Sequence, residues 1–111
     1  MTQKNREKRV VIKANIPSSL KLRFKVLCAY QKVTISSVLE HLIEKWIQAN
    51  TPINNFIKNQ SSGEELKELK GYIPESLKVQ FKVSCVRKSI TMKYALHNLI
   101  GKWMKASNSR N

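Results

Sequence analysis

The feature that most constrains this chain is an internal repeat. Laid over residues 68–107 without a gap, residues 11–50 match at 17 of 40 positions, at an offset of 57. The matches include Lys13/Lys70, Ile16/Ile73, Pro17/Pro74, Leu20/Leu77, Phe24/Phe81, Lys25/Lys82 and Cys28/Cys85. They continue through Thr34/Thr91, Leu39/Leu96, Leu42/Leu99, Ile43/Ile100, Lys45/Lys102 and Trp46/Trp103. Chance does not place a Pro, a Phe, a Cys and a Trp in one register, so the chain is a tandem duplication. Its parts are a flexible basic arm (1–10), a first copy (11–50), a linker (51–67), a second copy (68–107) and a tail (108–111).

Each copy opens on a short alternating segment. Ile12, Ala14 and Ile16 fall on one side with Lys13 and Asn15 on the other; Leu69, Gly71 and Ile73 oppose Lys70 and Tyr72 in the second copy. Period-two alternation predicts a half-buried strand. Pro17 and Pro74 end it, because proline cannot donate to a ladder and fits the first turn of a helix. A first helix follows over about Ser18 to Lys32, with Leu20, Phe24, Leu27 and Cys28 at helical spacing. Leu77, Phe81 and Cys85 repeat the stripe. Thr34 and Thr91 are placed to cap a second helix. Ile35, Val38, Leu39, Leu42, Ile43, Trp46 and Ile47 give that helix one apolar face, and Met92, Ala95, Leu96, Leu99, Ile100, Trp103 and Met104 give its twin. The linker, rich in Asn, Ser and Gly, leaves Ile53, Phe56 and Ile57 as local packing or a partner site.

A strand and two amphipathic helices cannot bury their own apolar faces, and a lone strand leaves its backbone unpaired. Two such units solve both problems if the strands pair antiparallel over four interlocked helices. The expected fold is therefore mostly α with a two-stranded antiparallel ribbon, two β-α-α repeats forming one intramolecular pseudodimer. Lys13, Asn15, Lys70 and Tyr72 then face outward, and such a ribbon fits the major groove of B-DNA.

The charge agrees. The 111 residues carry 21 Lys+Arg against 7 Asp+Glu, net +14, which points to a polyanionic partner. The arm holds +3, the first copy +4, the linker 0, the second copy +6 and the tail +1. No apolar run is long enough to span a membrane, and no apolar stretch follows the charges of MTQKNREKR, so a cytoplasmic, nucleoid- or plasmid-associated location is expected. Nothing suggests an enzyme: there is no Gly-rich phosphate loop and no nucleophile–base pair. Cys28 and Cys85 sit at equivalent points of an apolar stripe, and His41 and His97 do not align across the repeat, so core packing is expected rather than a metal, and no cofactor. Trp46 and Trp103 read as core anchors.

The pattern resembles the ribbon–helix–helix superfamily of DNA-binding proteins, the fold of the Arc, MetJ and CopG repressors, written twice. The stretches RFKVLCAYQKVTISSVLEHLIEKWIQAN and QFKVSCVRKSITMKYALHNLIGKWMKAS look like the C-terminal domain of ParG-type plasmid partition proteins. The likeness covers the two copies and leaves out the arm, the linker and the tail. It departs from the usual homodimer by joining both halves in one chain.

The resemblance implies roles. Lys13, Asn15, Lys70 and Tyr72 would read bases, the lysines at guanine, Asn15 at adenine, and Tyr72 at a thymine methyl or a phosphate. Thr34, Ile35, Ser36, Thr91, Met92 and Lys93 would hold phosphates at the starts of the second helices. Lys4, Arg6, Lys8 and Arg9 would lie along a groove or backbone. Glu68 sits where a strand residue would face DNA; being acidic, it either accepts from a cytosine or lies beyond the contact zone, and the latter is expected. The two strands differ, which predicts an imperfectly palindromic element. The function implied is a sequence-specific duplex-DNA-binding protein, a transcriptional repressor or regulator of a plasmid or other mobile element. The alternative is an accessory DNA-site factor in plasmid partition or conjugative relaxosome assembly. Further copies on adjacent sites, or a partition or conjugation protein, are the additional partners it leaves open; a small-molecule substrate and a membrane are not expected.

Overall fold

The computed structural model describes residues 7–49 and 64–108. Six elements follow in order: β1 (Arg9–Pro17), α1 (Ser18–Gln31), α2 (Ile35–Ala49), β2 (Leu66–Pro74), α3 (Glu75–Arg87) and α4 (Met92–Asn108). The described chain is mostly helical, with one two-stranded antiparallel sheet. No described helix is long and apolar enough to cross a membrane.

The strands begin at Arg9 and Leu66, two residues earlier in each case than the repeat boundaries at 11 and 68 suggested. The end of the expected arm and the end of the expected linker are thus ladder residues. Asn108, assigned to the tail, closes α4. Lys4, Arg6 and the apolar linker residues Ile53, Phe56 and Ile57 lie outside the described residues.

Pairing runs from Arg9↔Pro74 through Lys13↔Lys70 to Pro17↔Leu66. Lys13 and Lys70, which match across the repeat, are therefore also partners in the ladder. Equivalent bonds recur on either side of them. The Ser18 N–H donates to Glu65 O at 3.1 Å and the Glu75 N–H to Lys8 O at 3.0 Å, pairs related by the same offset of 57. Each proline is the residue before the helix, at the N-cap position, not inside the first turn: Pro17 and Pro74 have φ near −57° and ψ above 140°, ending the strand in extended backbone.

Proline has no side-chain acceptor, so the first turns of α1 and α3 take their caps from elsewhere. Glu64 accepts from the Ser19 N–H at 2.9 Å and from the Ser19 hydroxyl at 2.8 Å. Glu7 accepts from the Ser76 N–H at 2.8 Å and the Ser76 hydroxyl at 3.1 Å. Each carboxylate belongs to the lead-in of the opposite strand, so the two halves cap each other. The two Ser19 bonds, backbone first, hold the Glu64 carboxyl below the usual carboxylate range. Thr34 and Thr91 cap α2 and α4 locally, accepting from the Ser37 and Tyr94 N–H groups, both at 3.0 Å.

The core lies between the ribbon's inner face and the helices. Ile12, Ala14, Ile16, Leu69 and Ile73 point into it from the strands. Val38, Leu39, Ile43 and Trp46 enter from α2; Ala95, Leu96, Ile100 and Met104 enter from α4. The rings interlock: Phe24 meets Trp103 edge-on at 5.4 Å, and Phe81 meets Trp46 at 5.5 Å. Each phenylalanine packs on the tryptophan of the other copy, and such a pair adds about 0.5–1.5 kcal/mol beyond its buried area. Cys28 and Cys85 are buried as free thiols, and burial pushes the Cys85 thiol up to about 11. Gly71, at the position matched by Ala14, lets α2 approach the ribbon: a Cβ there would stand 2.7 Å from Leu39 Cδ1.

Leu22, Val26 and Tyr30 on α1, and Val79, Val83 and Val86 on α3, point outward and are exposed. These two helices are apolar on both sides, unlike α2 and α4, whose stripes face the core alone.

Candidate nucleic-acid interface

Two ladder partners two residues along from each other share a face, so the pairing defines the outer surface of the ribbon rung by rung. Val11 stands opposite Tyr72, Lys13 opposite Lys70, and Asn15 opposite Glu68. Lys13, Lys70, Tyr72 and Glu68 are exposed, and Val11 and Asn15 are half-exposed. The four residues expected to read bases are therefore together on one face. Two further side chains share it.

Val11 lies on this face two residues before Lys13, an apolar residue that breaks the alternation beside Ile12. Glu68 lies on this face as well. It is two residues from Lys70, hence on the same side, and its carboxylate lies 3.7 Å from Lys13 Nζ. Both side chains of that pair are more than two-fifths exposed, so the contact adds little stability. Its effect is to bias where Lys13 rests.

The two lysines directly opposite one another are the central feature. Like charges on facing strand positions destabilise a sheet. Among the described residues Glu68 is the one carboxylate within ion-pair distance of either of them. The face is thus positive at its centre, with hydrogen-bond donors that an anionic, acceptor-rich surface would satisfy.

The starts of α2 and α4 flank the ribbon on its two edges, and they are not alike. Beside β1, Val11, Lys13, Lys78, Met92 and Lys93 line a shallow recess of about 330 Å³. Lys78 Nζ donates to Val11 O at 3.1 Å, which holds this lysine against the strand. Its relevance was not visible in sequence, because it lies on α3 and reaches the ribbon only through the fold. Beside β2, the Ser36 hydroxyl accepts from the Tyr72 N–H at 2.8 Å, so that oxygen ties helix to strand and keeps its proton to donate to a phosphate. Thr34, Ile35 and Ser36 thus sit at one edge and Thr91, Met92 and Lys93 at the other, each set at a helix N-terminus where partial positive charge collects.

Arg9 departs from the arm it was assigned to. It occupies the first rung of β1, and its guanidinium binds Glu40 of α2 at 2.6 Å and Tyr72 O at 3.3 Å. It braces β2 against α2. Lys8 is exposed and its carbonyl receives the Glu75 N–H. His97, half-buried on α4, is held below the ordinary histidine value by that burial.

Comparison with family models, with characterised proteins and with solved structures returns no match.

Proposed function

We propose that this chain is a single-chain ribbon–helix–helix pseudodimer that binds double-stranded DNA by laying its ribbon in the major groove and regulates a plasmid or other mobile element. The observation that carries the reading is the Lys13–Lys70 pair, two exposed ammonium groups facing each other at the centre of a two-stranded ribbon. Guanine offers O6 and N7 acceptors in the major groove, where a two-stranded ribbon fits. Helix N-termini stand on both edges of the ribbon, and phosphates are favourable at such termini. The recurrence of ladder bonds, caps and ring pairs at the offset of 57 supports the pseudodimer. Pairing inside one chain makes folding independent of protomer concentration, unlike an obligate dimer. A melting midpoint that rises with protein concentration would contradict that part of the proposal.

The test is a competition for labelled duplex DNA by unlabelled duplex, single-stranded RNA and anionic lipid vesicles. Duplex DNA should compete best by far; equal competition by RNA or vesicles refutes the reading. Lys13→Ala and Lys70→Ala should each relax base preference, by about 1–3 kcal/mol for a lost bidentate contact. Lys93→Ala should instead weaken all sequences alike and reduce the salt slope by about 1.

A further inference from the structure

We infer that the ribbon face is directional, so that the protein binds its site in one orientation: thymine methyl groups under the Val11–Tyr72 rung, and cytosine or adenine under the Asn15–Glu68 rung. The inference rests on the DNA-binding reading above and adds what the site is and which way round it is held.

The register supplies the argument. Across the repeat, Val11 corresponds to Glu68 and Asn15 to Tyr72, while Lys13 and Lys70 correspond to each other. Were the two copies identical here, both end rungs would carry the same pair of side chains and the face would have two-fold symmetry. They are not identical, and the differences do not scatter. Pairing gathers the apolar valine and the aromatic ring on one rung and the amide and the carboxylate on the other.

Those two rungs suit different bases. A valine and a tyrosine ring offer apolar contact to the C5-methyl of thymine, whereas glutamate accepts from the N4 amino group of cytosine and asparagine pairs bidentately with adenine. The carboxylate also repels the wrong sequence. Against guanine O6 and N7 or thymine O4 it meets acceptors only, with no donor to satisfy it. Rotating the site by half a turn therefore loses contacts at one end and creates repulsion at the other. The 3.7 Å contact with Lys13 does not remove this, because it is an exposed ion pair longer than a hydrogen bond and leaves the carboxylate oxygens open to a base. The edges differ as well, Lys93 on one side and the strand-tied Ser36 on the other, though these touch backbone and so add no sequence preference of their own.

The test is selection from a randomised duplex pool, followed by affinities for the selected site and for the two palindromes made by duplicating either of its halves. The wild-type protein should return a site without dyad symmetry, and each palindrome should bind about tenfold or more weakly. The double variant Glu68→Val with Tyr72→Asn copies the β1 pattern onto β2, and both positions are exposed. It should itself return a palindrome and bind it better than the wild-type site. Glu68→Gln, a milder change, should lower the preference for cytosine at that end alone. A palindrome selected by the wild type, or an unchanged asymmetric site selected by the double variant, overturns the inference while leaving DNA binding intact. No enrichment of any duplex overturns the DNA-binding reading itself, and this inference with it.

Discussion

Replacing Gly71 by alanine tests the packing that sets α2 against the ribbon. The added Cβ would lie 2.7 Å from Leu39 Cδ1 and 3.4 Å from Ser36 Oγ. Carbon atoms pack best at about 3.5–4.0 Å, so something must move by about 1 Å. Leu39 is fully buried, leaving its methyl little room to yield. Overpacking of this kind costs about 1–3 kcal/mol. Replacing glycine restricts the unfolded chain and returns about 0.4–1 kcal/mol. The net expectation is a loss of about 1–2 kcal/mol, or a fall in melting midpoint of roughly 5–12 °C for a domain of this size. Urea and thermal unfolding of the wild type and Gly71→Ala measure it, and a cycle with Leu39→Ala isolates the contact. The Leu39 truncation removes the clashing methyl, so Gly71→Ala should cost almost nothing in that background. A Gly71→Ala protein as stable as the wild type, or an equal penalty in both backgrounds, would refute the reasoning.

The cross-caps predict acid sensitivity. Glu64 has its carboxyl held low by the Ser19 bonds, so its contribution is present above the ordinary glutamate value of about 4.3 and is lost as pH falls through the lower folded value. Glu64→Gln should lower the melting midpoint at pH 7 and flatten the acid limb below about pH 4.3; an unchanged acid limb contradicts the cap. Half-buried His97 acts in the same direction, since its folded form stays neutral where the unfolded one takes a proton, an effect that begins as pH drops through about 6.5. The buried thiols should resist a disulfide reagent in the native state. With Cys85 pushed up to about 11, only about one thiol in a thousand is ionised at pH 8, and both cysteines should react on denaturation. Rapid labelling of the folded protein would show that the core around Cys85 is open.

The repeat made most of the architecture legible. A Pro after an alternating stretch, then stripes at helical spacing, leaves little besides strand, helix, helix, and self-similarity at an offset of 57 residues requires the same unit twice. The pairing register was not legible, because period-two alternation states which residues share a side but not what stands across from them. Alternation already puts Val11 beside Lys13 and Glu68 beside Lys70; only the register shows that Val11 stands opposite Tyr72 and Glu68 opposite Asn15. The caps from Glu7 and Glu64 were hidden by distance in sequence, although a signal existed: the two residues are themselves 57 apart, so the repeat begins before the first obvious identity. Arg9 looked like part of a charged tail, and only its ion pair with Glu40 shows it to be a brace. Lys78 sits on the helix after β2 yet touches β1, a contact that follows from antiparallel pairing and from nothing local.

The most direct measurement of the central claim is methylation interference on a bound duplex. Methylating guanine N7 blocks the major groove, whereas methylating adenine N3 blocks the minor groove. Lys13 and Lys70 face the same way at the centre of the ribbon. The account therefore predicts strong interference from guanine N7 at the middle of the site, lost when both lysines are changed to alanine, and no interference from adenine N3 there. Interference confined to adenine N3, or guanine interference that persists in the Lys13→Ala, Lys70→Ala protein, would contradict it.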